Sequence, residues 1–173
     1  FHHDTYSELQ LKIKGVSLSG KSAFITGSGT RIGAASALAF AKAGARAVFL
    51  SERTASTLQE TRNHIKKWCR NTIVQNFIFD ISEGPQRIEE IFTEARKISD
   101  GKPIDILVNN AADLGLDPNT KFRTVLQAIR NQGPTIINTT SGAAVIDFAP
   151  GLSGYGVSKM AALKLFTYLW YEQ

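Results

Sequence analysis

The chain has 173 residues, of which 43% are hydrophobic, with a net charge of +5 and a single cysteine. That is enough chain for one domain with a sizeable core, and no apolar run approaches the length needed to cross a bilayer, so no membrane partner is expected. A lone Cys69 excludes an intrachain disulfide and suits a reducing compartment such as the cytoplasm, while the modest charge, without a dense basic block, argues against nucleic acid.

The chain begins with a polar stretch, Phe1 to Lys14, that lacks the apolar segment of a secretory signal. Residues 1–17 read as an N-terminal extension. The only methionine is Met160, so the sequence is expected to be a portion of a longer product. Ala23 to Thr26 is short and apolar enough for a buried parallel strand. A glycine-rich turn runs from Gly27 to Gly33, and an alanine-rich helix follows that Gly44 can close. Strand, glycine turn and helix in that order suit a phosphate. The N–H groups at a helix start lack partners, the helix dipole adds positive character there, and glycines let the backbone approach a pyrophosphate. The same glycines also suit an ordinary strand-to-helix turn.

Ala47 to Leu50 is expected as a second strand, ended by Ser51-Glu52-Arg53-Thr54. Thr54 or Ser56 then caps a helix through Leu58, Ile65 and Trp68. On that helix Arg62, Lys66, Lys67 and Arg70 form the densest basic patch, read as a solvated face. Ile73 to Phe79 is a third strand stopping at Asp80, and Gly84-Pro85 opens a helix through Ile88, Ile91, Phe92 and Ile98. Ile104 to Val108 is a fourth strand, followed by Asn109-Asn110-Ala111-Ala112. A helix around Phe122 to Arg130, a fifth strand from Thr135 to Thr139 and a helix from Tyr155 to Trp170 complete the chain.

Five strands alternating with helices predict an α/β fold, a doubly wound parallel sheet of three layers. Such sheets bind ligands beyond the carboxyl ends of their strands. Gly27, Glu52, Asp80, Asn109 and Ser141 all stand at those ends and would converge on one crevice. Glu52 follows Gly33 by 19 positions, where an acid of a dinucleotide-binding unit meets the adenosine ribose. Arg53 beside it is suited instead to a 2′-phosphate. Tyr155 and Lys159, at i and i+4, share a helix face, and an ammonium near a phenol favours the phenolate. A tyrosine so placed can exchange a proton with a carbonyl or hydroxyl. Ser141 would sit near it and hydrogen-bond the reacting oxygen.

Together these residues resemble the short-chain dehydrogenase/reductase family. The Thr26-Gly27 entry to the turn, Asp80, Asn109-Asn110-Ala111, Ser141 and Tyr155-x-x-x-Lys159 occur in the family's order, from about Leu18 to Trp170. The resemblance implies a Rossmann fold over residues 18–173, binding NADP or NAD and interconverting a small-molecule carbonyl and alcohol, with no metal at the site. Arg53 and Arg31 tilt the cofactor choice slightly to NADP. By the same resemblance Tyr155 is the general acid/base, Ser141 orients the substrate oxygen, and Lys159 binds the nicotinamide ribose. Gly27, Ser28 and Ile32 would line the pyrophosphate, Arg31 would either swing out toward a cofactor phosphate or crowd the pyrophosphate, Asp80 and Ile81 would meet the adenine, and Asn109, Asn110 and Ala111 would line the cofactor. A homo-oligomer is also implied.

Departures from the family pattern stand beside the matches. The family's turn, Thr-Gly-x-x-x-Gly-x-Gly, requires glycine at 31, where Arg31 stands. Asn110-Ala111-Ala112 replaces Asn-Ala-Gly. The stretch from Ala112 to Ile136 is short for the family's loop and helix, leaving Asn119 as a misplaced stand-in for its catalytic asparagine. The later strands and the substrate loop are not in this sequence. A relative impaired in turnover, acting as a dinucleotide-binding or interaction protein, is the alternative.

Overall fold

Apolar runs too short for helices become five strands that pair only in parallel. The computed structural model describes residues 17–81, 83–111, 135–146 and 153–171. The sequence features at 1–16, the helix expected around Phe122 and Asn119 lie outside them. The strands are β1 (Ser22–Thr26), β2 (Ala47–Glu52), β3 (Ile73–Ile78), β4 (Ile106–Asn109) and β5 (Thr135–Asn138). The helices are α1 (Arg31–Lys42), α2 (Ala55–Trp68), α3 (Pro85–Ile98) and α4 (Ser153–Tyr171), with a 3-10 turn over Gly142–Ala144. The sheet order is β3-β2-β1-β4-β5, so the chain turns back across β1 and its direction of winding reverses between β1 and β4.

Alternation along the strands separates two cores. Ala23, Ile25, Val48 and Leu50 face α1 and α2 with Ala37, Leu58 and Ile65. Phe24, Phe49, Phe77 and Leu107 face the other way, onto Ile88, Ile91 and Phe92 of α3, and Phe166 of α4 packs at the margin of that cluster. Phe24 lies at the centre of this second core, its ring 4.6 Å from Phe92 and 5.8 Å from Phe77. The doubly wound, three-layer expectation therefore holds.

Strand limits follow the partner strands rather than the apolar runs. Phe79 was expected in β3, but β2 ends at Glu52, the partner of Ile78, so Phe79 adds only one N–H bond to the Glu52 carbonyl at 3.2 Å. Ile104 is buried yet outside β4, because β1 begins at Ser22 and pairing starts with Ala23 opposite Ile106. Helix ends match their signals. Gly44 follows α1 at φ 89°, Thr54 occupies the residue before α2, and Gly84, at φ 100°, precedes Pro85 in the first turn of α3.

Candidate functional site

The carboxyl end of β1 is tied to the carboxyl end of β4 through one hydroxyl. Thr26 Oγ1 accepts from the N–H groups of Asn110 and Ala111, each at 3.0 Å, and donates to the Val108 carbonyl at 3.3 Å. The Asn110 side chain closes the same junction from the other side, its Nδ2 donating to the carbonyls of Thr26 and Gly27 at 3.1 Å each. Gly27 takes a φ of 63°, and a Cβ there would press on the Ala111 backbone. At Gly33 a Cβ would run into the Gly27 carbonyl and the Asn110 amide, so glycine lets α1 start directly on the turn.

The rest of the turn is pinned to β2 and α2. Ser28 is fully buried: its N–H donates to the Ser51 carbonyl at 3.1 Å and its Oγ accepts from the Ser51 N–H at 2.8 Å. Ser28, expected to line the pyrophosphate, thus directs its side chain into the protein, where a strand-end N–H needs an acceptor. Thr61 Oγ1 of α2 donates to the Gly29 carbonyl at 3.0 Å. Arg31 and Ile32, by contrast, are exposed at the N-terminus of α1. Arg31 holds a φ of 49°, the left-handed conformation for which glycine is suited, which is the physical content of the departure noted at this position.

At the end of β2, Glu52 and Arg53 diverge. The Glu52 carboxylate lies against Gly29, where a Cβ would overlap it, and accepts from Thr57 Oγ1 at 3.3 Å. Arg53 is exposed and its guanidinium meets Asp80 at 3.5 Å, joining the ends of β2 and β3. Ile81 packs at the edge of the α3-side core.

Lys159 is buried on α4, and its Nζ donates to the Thr139 carbonyl at 2.7 Å and to the Asn110 carbonyl at 3.5 Å. Burial holds its ammonium below the ordinary lysine range. Asn110 therefore contacts both the glycine turn and the lysine. Ser141 begins the 3-10 turn, its Oγ accepting from the Ala143 N–H at 3.3 Å, which leaves its own proton to donate. A Cβ at Gly156 would strike the Ala143 carbonyl, so the first turn of α4, which carries Tyr155, sits on the turn that Ser141 opens. The structure thus gathers Gly27, Asn109, Asn110 and Ala111 with Lys159, and sets Ser141 and Tyr155 on adjoining segments. Glu52, Arg53 and Asp80 form a separate charged rim. Sequence reasoning missed Thr57, Thr61 and Asn138. Their signal is hydroxyl and amide chemistry on segments flanking the glycine turn and the fifth strand, too common to single out alone.

The family model described as short chain dehydrogenase matches residues 21–127. The short chain dehydrogenase tazN of Aspergillus terreus is 30% identical over 194 residues, covering 96% of this chain and 40% of that protein. The 2-dehydro-3-deoxy-D-gluconate 5-dehydrogenase of Bacillus subtilis is 40% identical over 95 residues, 55% of this chain and 34% of its own length. A solved short-chain dehydrogenase/reductase of unknown function from Caenorhabditis elegans, determined with cofactor, superposes with a TM-score of 0.74 at 26% identity, over 87% of this chain and 63% of that one. This chain spans less than half the length of the two named enzymes.

Proposed function

The chain belongs to the short chain dehydrogenase family, and on that premise we propose that the protein is a nicotinamide-dinucleotide-dependent oxidoreductase interconverting a small-molecule carbonyl and alcohol. The observation that carries this reading is Lys159, buried and bound to carbonyls at the ends of β4 and β5, one helical turn from Tyr155. An ammonium fixed there serves a site at the carboxyl ends of the strands, and it has no such use in the sheet's core.

The glycine turn fits a dinucleotide. Gly27 and Gly33 let α1 start directly against the turn, and the first N–H groups of α1 lack intrahelical acceptors, so they suit an anion. Gly27, Arg31 and Ile32 are assigned to the pyrophosphate, Asp80 and Ile81 to the adenine, and Asn109, Asn110 and Ala111 to the nicotinamide half. Glu52 and Arg53 meet the adenosine ribose, and Arg53 with Arg31 tilts the choice to NADP over NAD. When bound, the dinucleotide supplies or accepts hydride at carbon. Tyr155 exchanges the proton on the substrate oxygen, Ser141 donates a hydrogen bond to that oxygen, and Lys159 holds the ribose and keeps positive charge beside the phenol.

The test is Tyr155→Phe in the full-length natural protein. Turnover against a ketone and alcohol panel should fall by about 10²–10⁴-fold, while the dinucleotide dissociation constant stays near wild type. Wild-type turnover in the mutant would remove Tyr155 from the chemistry. One observation favours the second reading, binding without turnover: Arg31 holds a φ of 49° at the position where the family has glycine. Absence of turnover in the wild type, with tight dinucleotide binding, decides for it.

A further inference from the structure

Two asparagines that follow no sheet-forming preference end β4 and β5. Asn109 and Asn138 are register partners, and Asn109 Nδ2 donates to Asn138 Oδ1 at 2.9 Å. The amide Nδ2 of Asn138 is itself buried and finds no acceptor among the described residues. A buried amide with an unmade bond is costly, and an aliphatic pair would hold two parallel strands together without that cost. The residues immediately after this pair are Asn110 and Thr139, and each gives its carbonyl to Lys159 Nζ. The Thr139 N–H also bonds the Asn109 carbonyl at 3.0 Å, continuing the ladder to the point where the lysine docks.

We propose that the Asn109–Asn138 side-chain bridge positions Lys159, by fixing the spacing of the two strand-end carbonyls that hold its ammonium. Asn138 is then a positioning residue that acts through the strand ends. A bridge one residue upstream adds a side-chain contact to the backbone bond between Thr139 and Asn109 in setting the gap. If the ends of β4 and β5 splay, the 3.5 Å contact to Asn110 is lost first and the lysine swings on the Thr139 carbonyl alone. The proposal deepens the assignment of Lys159 to the site, and it does not depend on turnover.

The experiment follows competitive acetylation of lysine amines by acetic anhydride, read by mass spectrometry peptide by peptide, without substrate or cofactor. Lys66 is the internal control. Its Nζ is held by the carbonyls of Thr72 at 2.6 Å and Arg70 at 3.2 Å, at the opposite end of the sheet. Asn138→Leu and Asn109→Leu should each speed labelling of Lys159 by about five- to tenfold, as loss of one net hydrogen bond would, with Lys66 unchanged. An unchanged Lys159 rate, or equal acceleration at both lysines, overturns the proposal, since the first denies any coupling and the second reports general loosening. If the leucine variants show no cooperative melt, Asn138→Asp decides. It keeps the oxygen that accepts from Asn109, so Lys159 should stay as protected as in wild type, and rapid labelling there overturns the bridge. A protein without turnover but with this labelling pattern separates failure of the oxidoreductase reading from failure of the bridge.

Discussion

Arg31 and Thr26 are the residues at which the glycine turn is most sensitive to a single atom. Arg31 lies at φ 49°, where a β-carbon costs roughly 1–2 kcal/mol. Arg31→Gly removes that cost but loosens the unfolded chain, so the net gain should be about 1 kcal/mol, read as a higher urea midpoint at unchanged slope. Arg31→Ala keeps a β-carbon and should gain nothing. A stabilised alanine variant would mean that arginine's charge, and not its backbone, is what strains the turn. Thr26→Val keeps the shape and deletes the hydroxyl that accepts from the N–H groups of Asn110 and Ala111. Leaving two N–H groups at a partly buried junction without their acceptor should cost about 2–4 kcal/mol. Chemical denaturation measures it, and a cost below about 0.5 kcal/mol, as for an ordinary surface change, would show that solvent satisfies those groups.

Between elements, the entry ends of β1 and β4 carry a clip that mirrors the hydroxyl junction at their far ends. Asp105 Oδ2 accepts from the Ser22 N–H at 2.9 Å and from Ser22 Oγ at 3.2 Å, while Oδ1 takes the Lys21 ammonium at 2.8 Å. Partial burial raises the Asp105 carboxyl, but these bonds outweigh it and hold the group below the usual carboxylate range. A carboxyl lowered in the folded state contributes stability that is present above its unfolded value and lost as pH falls through the folded one. Asp105→Asn should therefore flatten the loss of stability on the acid side of neutrality, visible as parallel melting curves of mutant and wild type converging below about pH 4. A separation that stays constant as the pH falls below about 4 would mean that the carboxylate's charge contributes nothing. This clip was illegible in the sequence, because Asp105 lies 83 positions from Ser22 and only the parallel register brings them together. The elements were legible for the opposite reason. Strands covered on both faces are continuous apolar runs such as Ala47 to Leu50, and Gly44, Gly84 and Pro85 mark helix ends by backbone geometry alone. Strand limits were less so, since Phe79 and Ile104 have strand chemistry but no partner to pair with. At the site, Lys159 was placed beside Tyr155 by their spacing and Asn110 by the family resemblance, whereas the inward turn of Ser28 depended on the buried N–H of Ser51 in another strand.

Across the whole molecule, the sheet order places the glycine turn, the β2 rim and the β4 and β5 ends around the point where winding reverses, the crevice to which the proposed dinucleotide is assigned. A dinucleotide that binds only the folded chain should raise its stability by about 2.7 kcal/mol at a hundredfold excess over its dissociation constant, readable as a melting shift. On the proposed assignment, the choice of dinucleotide would rest on charges from three segments: Arg31 on α1, Glu52 and Arg53 at β2, and Asp80 after β3. A 2′-phosphate carries negative charge and gains from Arg53, as a planar fork of donors, while the Glu52 carboxylate, held over Gly29 with Thr57, repels it. Wild type should bind NADPH somewhat more tightly than NADH. Arg53→Ala should lower the ratio of the two affinities by about tenfold, the loss of one charge-assisted contact, and Glu52→Gln should raise it. Using the ratio cancels whatever either change does to adenine or nicotinamide binding, since both dinucleotides share those parts. A ratio unmoved by Arg53→Ala but shifted by Glu52→Gln would show that the carboxylate alone decides the cofactor, with Arg53 serving only its contact with Asp80.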